Sequence, residues 1–143
     1  MVIERDNSLS EYIEKSRKLY ADISSELLIS IFFPNNPLHD GGAIIQGDQI
    51  TSAGAVFPTS DSVKISKRLG TRHRAALGIS EQSDCLALIV SEETGRISIA
   101  VGGVLHYNLT LDEFKMMLLE ELRPKEQSYY EEEEDVENEK AEK

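Results

Sequence analysis

Apolar and polar positions alternate along the chain with spacings that predict both helices and strands. Residues 9–13 carry apolar side chains at helical spacing, and Ser8 with Glu11 three residues later has the pattern of a capping box. A second helical pattern begins at about Asp22. It has to end before Pro34, because proline lacks the N–H that a helix interior needs. Two helices are therefore predicted in the first 33 residues.

Two later segments predict β-hairpins, in which short apolar runs flank a polar turn. The first, GGAIIQGDQITSAGAVF, has its tight turn at residues 47–48. The second, CLALIVSEETGRISIAVGG, has a first strand that ends at Ser91 and a turn that contains Gly95. A final helix follows Thr110 and Glu113, which form another capping-box pattern. These elements predict an α/β fold with a central mixed, largely antiparallel β-sheet flanked by helices, since hairpins leave little room for parallel crossovers.

Length and charge divide the chain into one domain and a tail. The 143 residues suit a single domain, which we expect to span residues 1–124. Residues 125–143 hold nine acidic residues and three lysines, a net charge of −6, and predict an acidic disordered tail. The opening residues MVIERD resemble the end of a strand, so that its start and a preceding helix are expected to be missing.

The overall charge excludes some classes of partner. A net charge of −11 argues against general binding to nucleic acid or an anionic membrane, whose phosphates would repel the chain. No apolar stretch approaches the roughly 20 residues of a membrane span, which predicts a soluble chain. The single Cys85 has no partner for an internal disulfide and is expected to be a small buried side chain.

Three basic residues stand in a row at the start of a predicted helix. Thr71 suits the N-cap, which places Arg72, His73 and Arg74 in the first turn. Cations are unfavourable there, because the exposed N–H groups already make that end positive. The cost disappears when an anion such as a phosphate binds. The alternative is a solvated basic corner or a local ion pair.

Two other turns carry acidic residues that complement this basic helix start. Asp40 enters a buried strand beside His39, and two glycines follow it. Glu92 and Glu93 follow another apolar strand, and one of them is expected to point back towards the sheet edge. Their carboxylates suit Mg²⁺ or Mn²⁺, and His39 is a further candidate ligand, although each stretch also fits an ordinary polar turn. Together the three stretches favour metal-assisted chemistry on a nucleoside triphosphate, without a Walker A or GxGxxG loop.

The segments LHDGG, GTRHRAALGISE and IVSEETG, in this order, resemble the diadenylate cyclase (DAC, DisA_N) domain family, closest to its membrane-anchored bacterial type, CdaA. The resemblance covers about residues 2–122. It implies a mixed sheet flanked by helices and a metal-dependent reaction in which two ATP condense to cyclic di-AMP and two pyrophosphates. It further implies a face-to-face homodimer and a cytoplasmic domain, anchored to the cell membrane only through segments absent from this chain.

The resemblance also implies roles for individual residues. Asp40 would bind the metal and help to activate the ribose 3′-hydroxyl, and Glu93 would complete the metal site, with His39 as a third candidate ligand. Arg72, His73 and Arg74 would act on the triphosphate and the departing pyrophosphate. The implied ATP-binding positions, which overlap these, are Gly41, Gly42, Phe57, Thr71, Arg72, His73, Arg74 and Ser91. By its position after the second strand of the first hairpin, Phe57 would lie where the family holds adenine through backbone contacts.

The sequence departs from the family pattern at two positions, and two alternative functions remain open. Gly42 replaces an alanine of the motif, which is expected to loosen a turn, and Val56 stands where relatives often have an aromatic residue. The first alternative is a module that binds ATP or cyclic di-AMP with little or no turnover, although such a binder does not need carboxylates beside phosphates. The second is a metal-dependent hydrolase, which would need a denser cluster of ligands.

Overall fold

The computed structural model of the protein describes residues 1–61 and 69–123. The chain divides into two units, Met1–Leu109 and Thr110–Lys143. The predicted acidic tail, residues 125–143, lies outside the described residues. In chain order the elements are β1 Val2–Ile3, α1 Ser10–Glu14, β2 Arg17–Asp22, α2 Ser25–Phe32, a 3-10 turn Pro37–His39, β3 Gly42–Gln46, β4 Gln49–Ala55, α3 Thr71–Gln82, β5 Leu86–Val90, β6 Ile97–Val101, β7 Val104–Leu109 and α4 Leu111–Leu122.

The first unit is built on a sheet of seven strands in the order β2-β4-β3-β1-β5-β6-β7. The two-residue strand β1 lies inside this sheet, parallel to β3 and antiparallel to β5. Every other neighbouring pair is antiparallel. The prediction of a mixed, largely antiparallel sheet is confirmed.

Helices cover both faces of this sheet. Successive residues of a strand point to opposite faces, and in β3 the consecutive Ile44 and Ile45 belong to different apolar clusters. The Ile44 cluster includes Ile13 of α1 and Ile79 of α3. The Ile45 cluster includes Ile31 of α2. The prediction of flanking helices is therefore confirmed.

Both predicted hairpins are present. Gln46 pairs with Gln49, so Gly47 and Asp48 form the two-residue turn, and Gly47 has a φ of +58°. Strand β5 pairs antiparallel with β6 across the second predicted turn. It ends at Val90, one residue before the predicted end at Ser91.

The first predicted helix is present, but its predicted cap is wrong. α1 begins at Ser10, and its N-cap position, Leu9, has no side-chain cap. Ser8 Oγ accepts only from the Ser10 amide at 3.2 Å. The Leu9 amide donates to Glu4 Oε2 at 2.8 Å, and the same carboxylate oxygen accepts from Gln46 Nε2 at 2.9 Å. A carboxylate held by a distant strand replaces the local capping box.

The second helix begins at Ser25, so the predicted start at Asp22 is wrong. Ser24 is the N-cap, and its Oγ accepts from the Leu27 amide at 3.1 Å. Residues 17–22 instead form β2, an edge strand that pairs with β4. Its register with β4 shifts between Lys18 and Ala21, and Tyr20 within this bulge has a φ of +48°, so the strand has no regular pattern in the sequence. The opposite edge strand, β7, was not predicted either.

The capping prediction is confirmed for the second unit. Thr110 Oγ1 accepts from the Glu113 amide at 3.1 Å and donates to the Glu113 carboxylate at 3.0 Å. The carboxylate therefore bonds the hydroxyl of the cap instead of its backbone amide. Among the described residues, no helix combines the length and apolar character that a membrane crossing requires.

Candidate active site

The start of α3 carries the basic triplet, as predicted, but its cap differs. Gly70 is the N-cap and Thr71 is the first helical residue, so the prediction of Thr71 as N-cap is wrong. Among the described residues, no side chain caps this end. The Arg74 amide donates to the Gly70 carbonyl at 3.2 Å. The first amides of a helix have no acceptor within it, and this first turn contains no acidic residue. Arg72 and His73 therefore lie at an end that favours an anion.

Arg72 forms an ion pair across to the turn that follows β5. Its terminal nitrogen lies 2.7 Å from Glu92 Oε1, and the two side chains are 41% and 65% exposed. The sequence analysis selected the neighbouring Glu93. Since both glutamates follow the same strand, no pattern in the sequence distinguishes which of them reaches the helix start. The sequence alone left Glu92 and Glu93 as alternatives and the family resemblance selected Glu93, whereas Glu92 is the residue that pairs with Arg72.

His73 is buried, unlike the two arginines beside it. The residue is 8% exposed and its ring lies edge-on to Tyr107, with centroids 5.7 Å apart. Burial lowers the pKa of His73 below its ordinary value, so the imidazole is neutral at neutral pH. The expectation of three cations is therefore wrong at this position. Its Nε2 is buried and has no hydrogen-bond partner among the described residues, so contact with phosphate stays a prediction.

Asp40 lies between the 3-10 turn and β3, and its side chain is 88% exposed. His39 Nε2 lies 3.4 Å from Asp40 Oδ1. His39 Nδ1 lies 2.8 Å from the Asn36 carbonyl oxygen. Because a carbonyl only accepts, Nδ1 is the donor in this contact, and Nε2 is the ring nitrogen that faces Asp40. His39 and Asp40 thus place the ring nitrogen Nε2 and a carboxylate side by side.

The two glycines after Asp40 both lie in close contact with neighbouring groups. Gly41 has a φ of +96°, and a Cβ there would lie 2.6 Å from the Ala55 carbonyl oxygen. A Cβ on Gly42 would lie 2.7 Å from the ring of Phe57. That ring is 8% exposed and packs against Tyr12 at 5.3 Å between centroids. Gly42 belongs to a strand and is covered by Phe57, so the expectation that it loosens a turn is wrong.

Phe57 and its neighbour differ in exposure. The Phe57 side chain belongs to the core, which leaves only its backbone for the predicted contact with adenine. Val56 is 82% exposed. The adenine contact stays a prediction, because no nucleotide is present to test it.

A surface pocket of about 350 Å³ includes Asp40 and two cations that the sequence analysis missed. Its lining residues are Lys15, Ser16, Arg17, Pro37, Leu38, Asp40 and Gly54. Lys15 and Arg17 were missed because they lie between the two predicted helices, where the sequence predicted no element. A pocket of this composition brings positive charge to the surface that Asp40 faces.

The turn that carries Ser91 and Glu93 is closed by backbone hydrogen bonds. The Ser91 amide donates to the Arg96 carbonyl at 3.0 Å, and the Gly95 amide donates to the Ser91 carbonyl at 2.9 Å. Glu93 is exposed in this turn. The predicted roles of Ser91 and Glu93 stay predictions.

The described ranges contain no group of three or more His, Cys, Asp and Glu residues that could hold a metal. His39 and Asp40 are the predicted ligands that lie together, while Glu93 does not complete a three-residue set with them. A divalent ion at His39 and Asp40 would need further oxygen ligands from outside the chain, such as phosphate oxygens and water. The donor types fit Mn²⁺ or Mg²⁺, and the full ligand set stays a prediction.

The family can be identified by comparison with known sequences. The DAC family model, described as "DisA bacterial checkpoint controller nucleotide-binding", matches residues 1–105, a range that includes all three motif segments. The chain belongs to the DAC family. The family resemblance drawn from the sequence is thereby confirmed.

Named relatives and solved structures agree with this DAC assignment. A "Diadenylate cyclase" of Listeria monocytogenes is 53% identical over 120 residues, 84% of this chain and 44% of the relative. The "Cyclic di-AMP synthase CdaA" of Bacillus subtilis is 53% identical over 123 residues, 86% of this chain and 45% of the relative. The chain therefore spans about half the length of the curated relatives it matches.

The fold is shared with a solved DAC structure. A cysteine double mutant of DacA from Staphylococcus aureus superposes with a TM-score of 0.84 at 50% identity, covering 86% of this chain and 82% of that one. A "hypothetical membrane spanning protein" from Bacillus cereus gives a TM-score of 0.70 at 44% identity, covering 76% and 53%. The sheet flanked by helices is thus the fold of DacA.

Proposed function

We propose that this DAC domain is a diadenylate cyclase, which condenses two ATP into cyclic di-AMP and releases two pyrophosphates. The observation that carries the proposal is the 53% identity to proteins named diadenylate cyclase and cyclic di-AMP synthase. The geometry of the site supports it. A helix start with two arginines suits a polyphosphate, and an exposed carboxylate at Asp40 suits a reacting hydroxyl.

Each half of the reaction forms one phosphodiester bond. The 3′-hydroxyl oxygen of one ATP bonds to the α-phosphorus of the other, and the bond from that phosphorus to the bridging oxygen of pyrophosphate breaks. Pyrophosphate leaves with the electron pair. In this proposal Asp40 accepts the hydroxyl proton, which its 88% exposed side chain is free to do. Two such transfers close the ring and balance two ATP against one product and two pyrophosphates.

The start of α3 binds the polyphosphate in this proposal. Arg72 and Arg74 supply guanidinium N–H groups, and the free amides of the first turn add backbone donors. These groups stabilise the negative charge that develops on the departing pyrophosphate. His73 is neutral and buried, so it contributes at most a hydrogen bond from Nε2–H rather than a charge.

A divalent ion belongs to the proposal as Mn²⁺ or Mg²⁺. His39 and Asp40 would hold it, with Glu93 as the third predicted ligand and substrate phosphate oxygens completing the shell. Such an ion polarises phosphoryl oxygens and neutralises their charge.

The chemistry requires two domains. We propose a face-to-face homodimer in which the 3′-hydroxyl of each ATP lies next to the α-phosphorus of the other. One ATP-binding chain offers one hydroxyl and one α-phosphorus, and an intramolecular attack would not make the dinucleotide. We also propose that the full-length protein is anchored to the bacterial cell membrane with this domain in the cytoplasm. The support is the likeness to a membrane spanning protein of Bacillus cereus.

The role of Asp40 is tested by Asp40→Asn, with Asp48→Asn as a matched control. Asp48 lies in the exposed β3–β4 turn, so its replacement removes the same charge without touching the site. We expect Asp40→Asn to lower the rate of cyclic di-AMP formation by about 100-fold or more, the usual contribution of a general base. ATP binding, measured by calorimetry, should change by less than about threefold. A rate equal to that of the control would remove Asp40 from the mechanism.

A further inference from the structure

The ion pair between Arg72 and Glu92 joins the helix start to the turn after β5. One terminal nitrogen of Arg72 lies 2.7 Å from Glu92 Oε1, a distance typical of a charge-assisted hydrogen bond. A carboxylate thus occupies part of the guanidinium that our proposed function assigns to the polyphosphate.

Arg72 and Glu92 are both exposed enough for another anion to replace Glu92. Arg72 is 41% exposed and Glu92 is 65% exposed. Ion pairs of this exposure contribute little to stability, since water and salt screen them. Breaking the pair therefore costs little, and a better anion can take the place of the carboxylate.

A polyphosphate is such an anion. It brings several negative charges and several acceptor oxygens to the same guanidinium, whereas Glu92 brings one charge. Glu92 and a phosphate on one guanidinium would also repel each other at short range. Displacement of Glu92 from Arg72 is thus favoured over simultaneous binding of both anions when the polyphosphate binds. The return of Glu92 to Arg72 favours release of the polyphosphate.

We propose that Glu92 is the anion that polyphosphate displaces from Arg72, and that it thereby sets how tightly the ATP triphosphate and the leaving pyrophosphate are held. The inference rests on the proposed function, because it takes the start of α3 as the polyphosphate site. Glu92 acts through Arg72 and is a positioning residue. It weakens the binding of both substrate and product so that pyrophosphate departs after each turnover.

The test is calorimetric binding of ATP and of inorganic pyrophosphate, in a buffer with Mg²⁺, to the wild-type chain and to Glu92→Gln. Glutamine keeps the size of the side chain and removes its charge. We expect both ligands to bind about two- to fivefold more tightly, the range that an exposed ion pair is worth. Pyrophosphate should also become a stronger product inhibitor. Glu120→Gln on α4 is the matched control for the loss of one negative charge and should bind as the wild type does.

A second background tests whether Glu92 acts through Arg72. In Arg72→Ala, adding Glu92→Gln should leave both affinities unchanged, because the competition no longer exists. Equal or weaker binding by Glu92→Gln in the wild-type background would overturn the inference. A gain that persists without Arg72 would overturn it as well. A wild-type chain that binds neither ATP nor pyrophosphate would instead contradict the proposed function.

Discussion

His73 is the residue whose chemistry the structure changes most. It stands between two arginines in the sequence, yet its side chain points into the protein and lies against Tyr107. The surrounding protein disfavours the charged imidazolium, which lowers the pKa of His73. Of the three consecutive basic residues, Arg72 and Arg74 are cations and His73 is a neutral ring. The sequence did not reveal this, since burial at the third position of a helix depends on what packs against it.

A stability prediction follows from the lowered pKa of His73. Unfolding exposes the imidazole and restores its ordinary pKa of about 6.5, so the unfolded state binds the proton more readily. The contribution of His73 to the free energy of unfolding is thus present above that pH and is lost as the pH falls towards its folded-state pKa. When the pH is lowered from about 7.5 to 5.5, the free energy of unfolding measured by urea denaturation should fall less for His73→Leu than for the wild type. Equal pH dependence in the two proteins would contradict the assignment of a neutral buried ring.

Gly42 and Phe57 form a coupled pair at the residue scale. A methyl group on Gly42 would meet the Phe57 ring at 2.7 Å, in a core that already packs Tyr12 on that ring. We expect Gly42→Ala to lower the free energy of unfolding by about 1–3 kcal/mol, as overpacking usually does. Adding Phe57→Leu should recover part of this loss by providing space. Strictly additive effects in chemical denaturation would show that the two positions are not coupled.

At the scale of elements, α3 fits closely against the segment that follows β4. Gly78 of α3 faces the Pro58 carbonyl, where a Cβ would lie 1.9 Å from the oxygen and 2.9 Å from the Ser60 amide nitrogen. The Ser60 amide also donates to the Arg74 carbonyl at 3.0 Å. Backbone therefore contacts backbone on this side of the helix, and the position of the candidate site at its start depends on that contact.

Gly78→Ala tests this close approach. An exposed helix gains about 1 kcal/mol when alanine replaces glycine, so the sign of the effect is informative. Here we expect a loss of about 2–4 kcal/mol in the free energy of unfolding, because neither backbone can move away cheaply. Gly70→Ala, at the N-cap of the same helix and with open space around its Cβ, should cost only about 0.5–1 kcal/mol, because alanine is a poorer N-cap than glycine. Equal effects at the two positions would contradict the account of the packing.

The elements that could be predicted have local signals, and those that were missed do not. The β3–β4 hairpin was predicted because its Gly47-Asp48 turn and its apolar flanks lie within one short segment. Edge strand β2 was missed because residues 17–22 have no regular alternation of apolar and polar side chains and form a strand by pairing with the distant β4. The cap of α1 was predicted wrongly because Glu4, five residues before Leu9, accepts from the Leu9 amide while Gln46 of β3 holds its carboxylate.

At the scale of the whole molecule, the sequence allowed the fold class and the family to be predicted, but not the pairing within the site. The three motif segments lie far apart in the chain, and the family match covers all of them. Which glutamate reaches Arg72 depends on the geometry of one turn, and Glu92 was therefore found only in the structure. The domain boundary predicted at residue 124 and the acidic tail stay predictions, because the tail lies outside the described residues.

Formation of cyclic di-AMP by the purified chain tests the central claim most directly. The chain is incubated with ATP and Mn²⁺, and the products are separated and identified by mass. The account predicts cyclic di-AMP and pyrophosphate in a ratio of about 1:2, with a rate that rises more steeply than linearly with protein concentration, because two domains must meet. Binding of ATP without any cyclic di-AMP, at protein concentrations that form the dimer, would contradict it and favour a binding module.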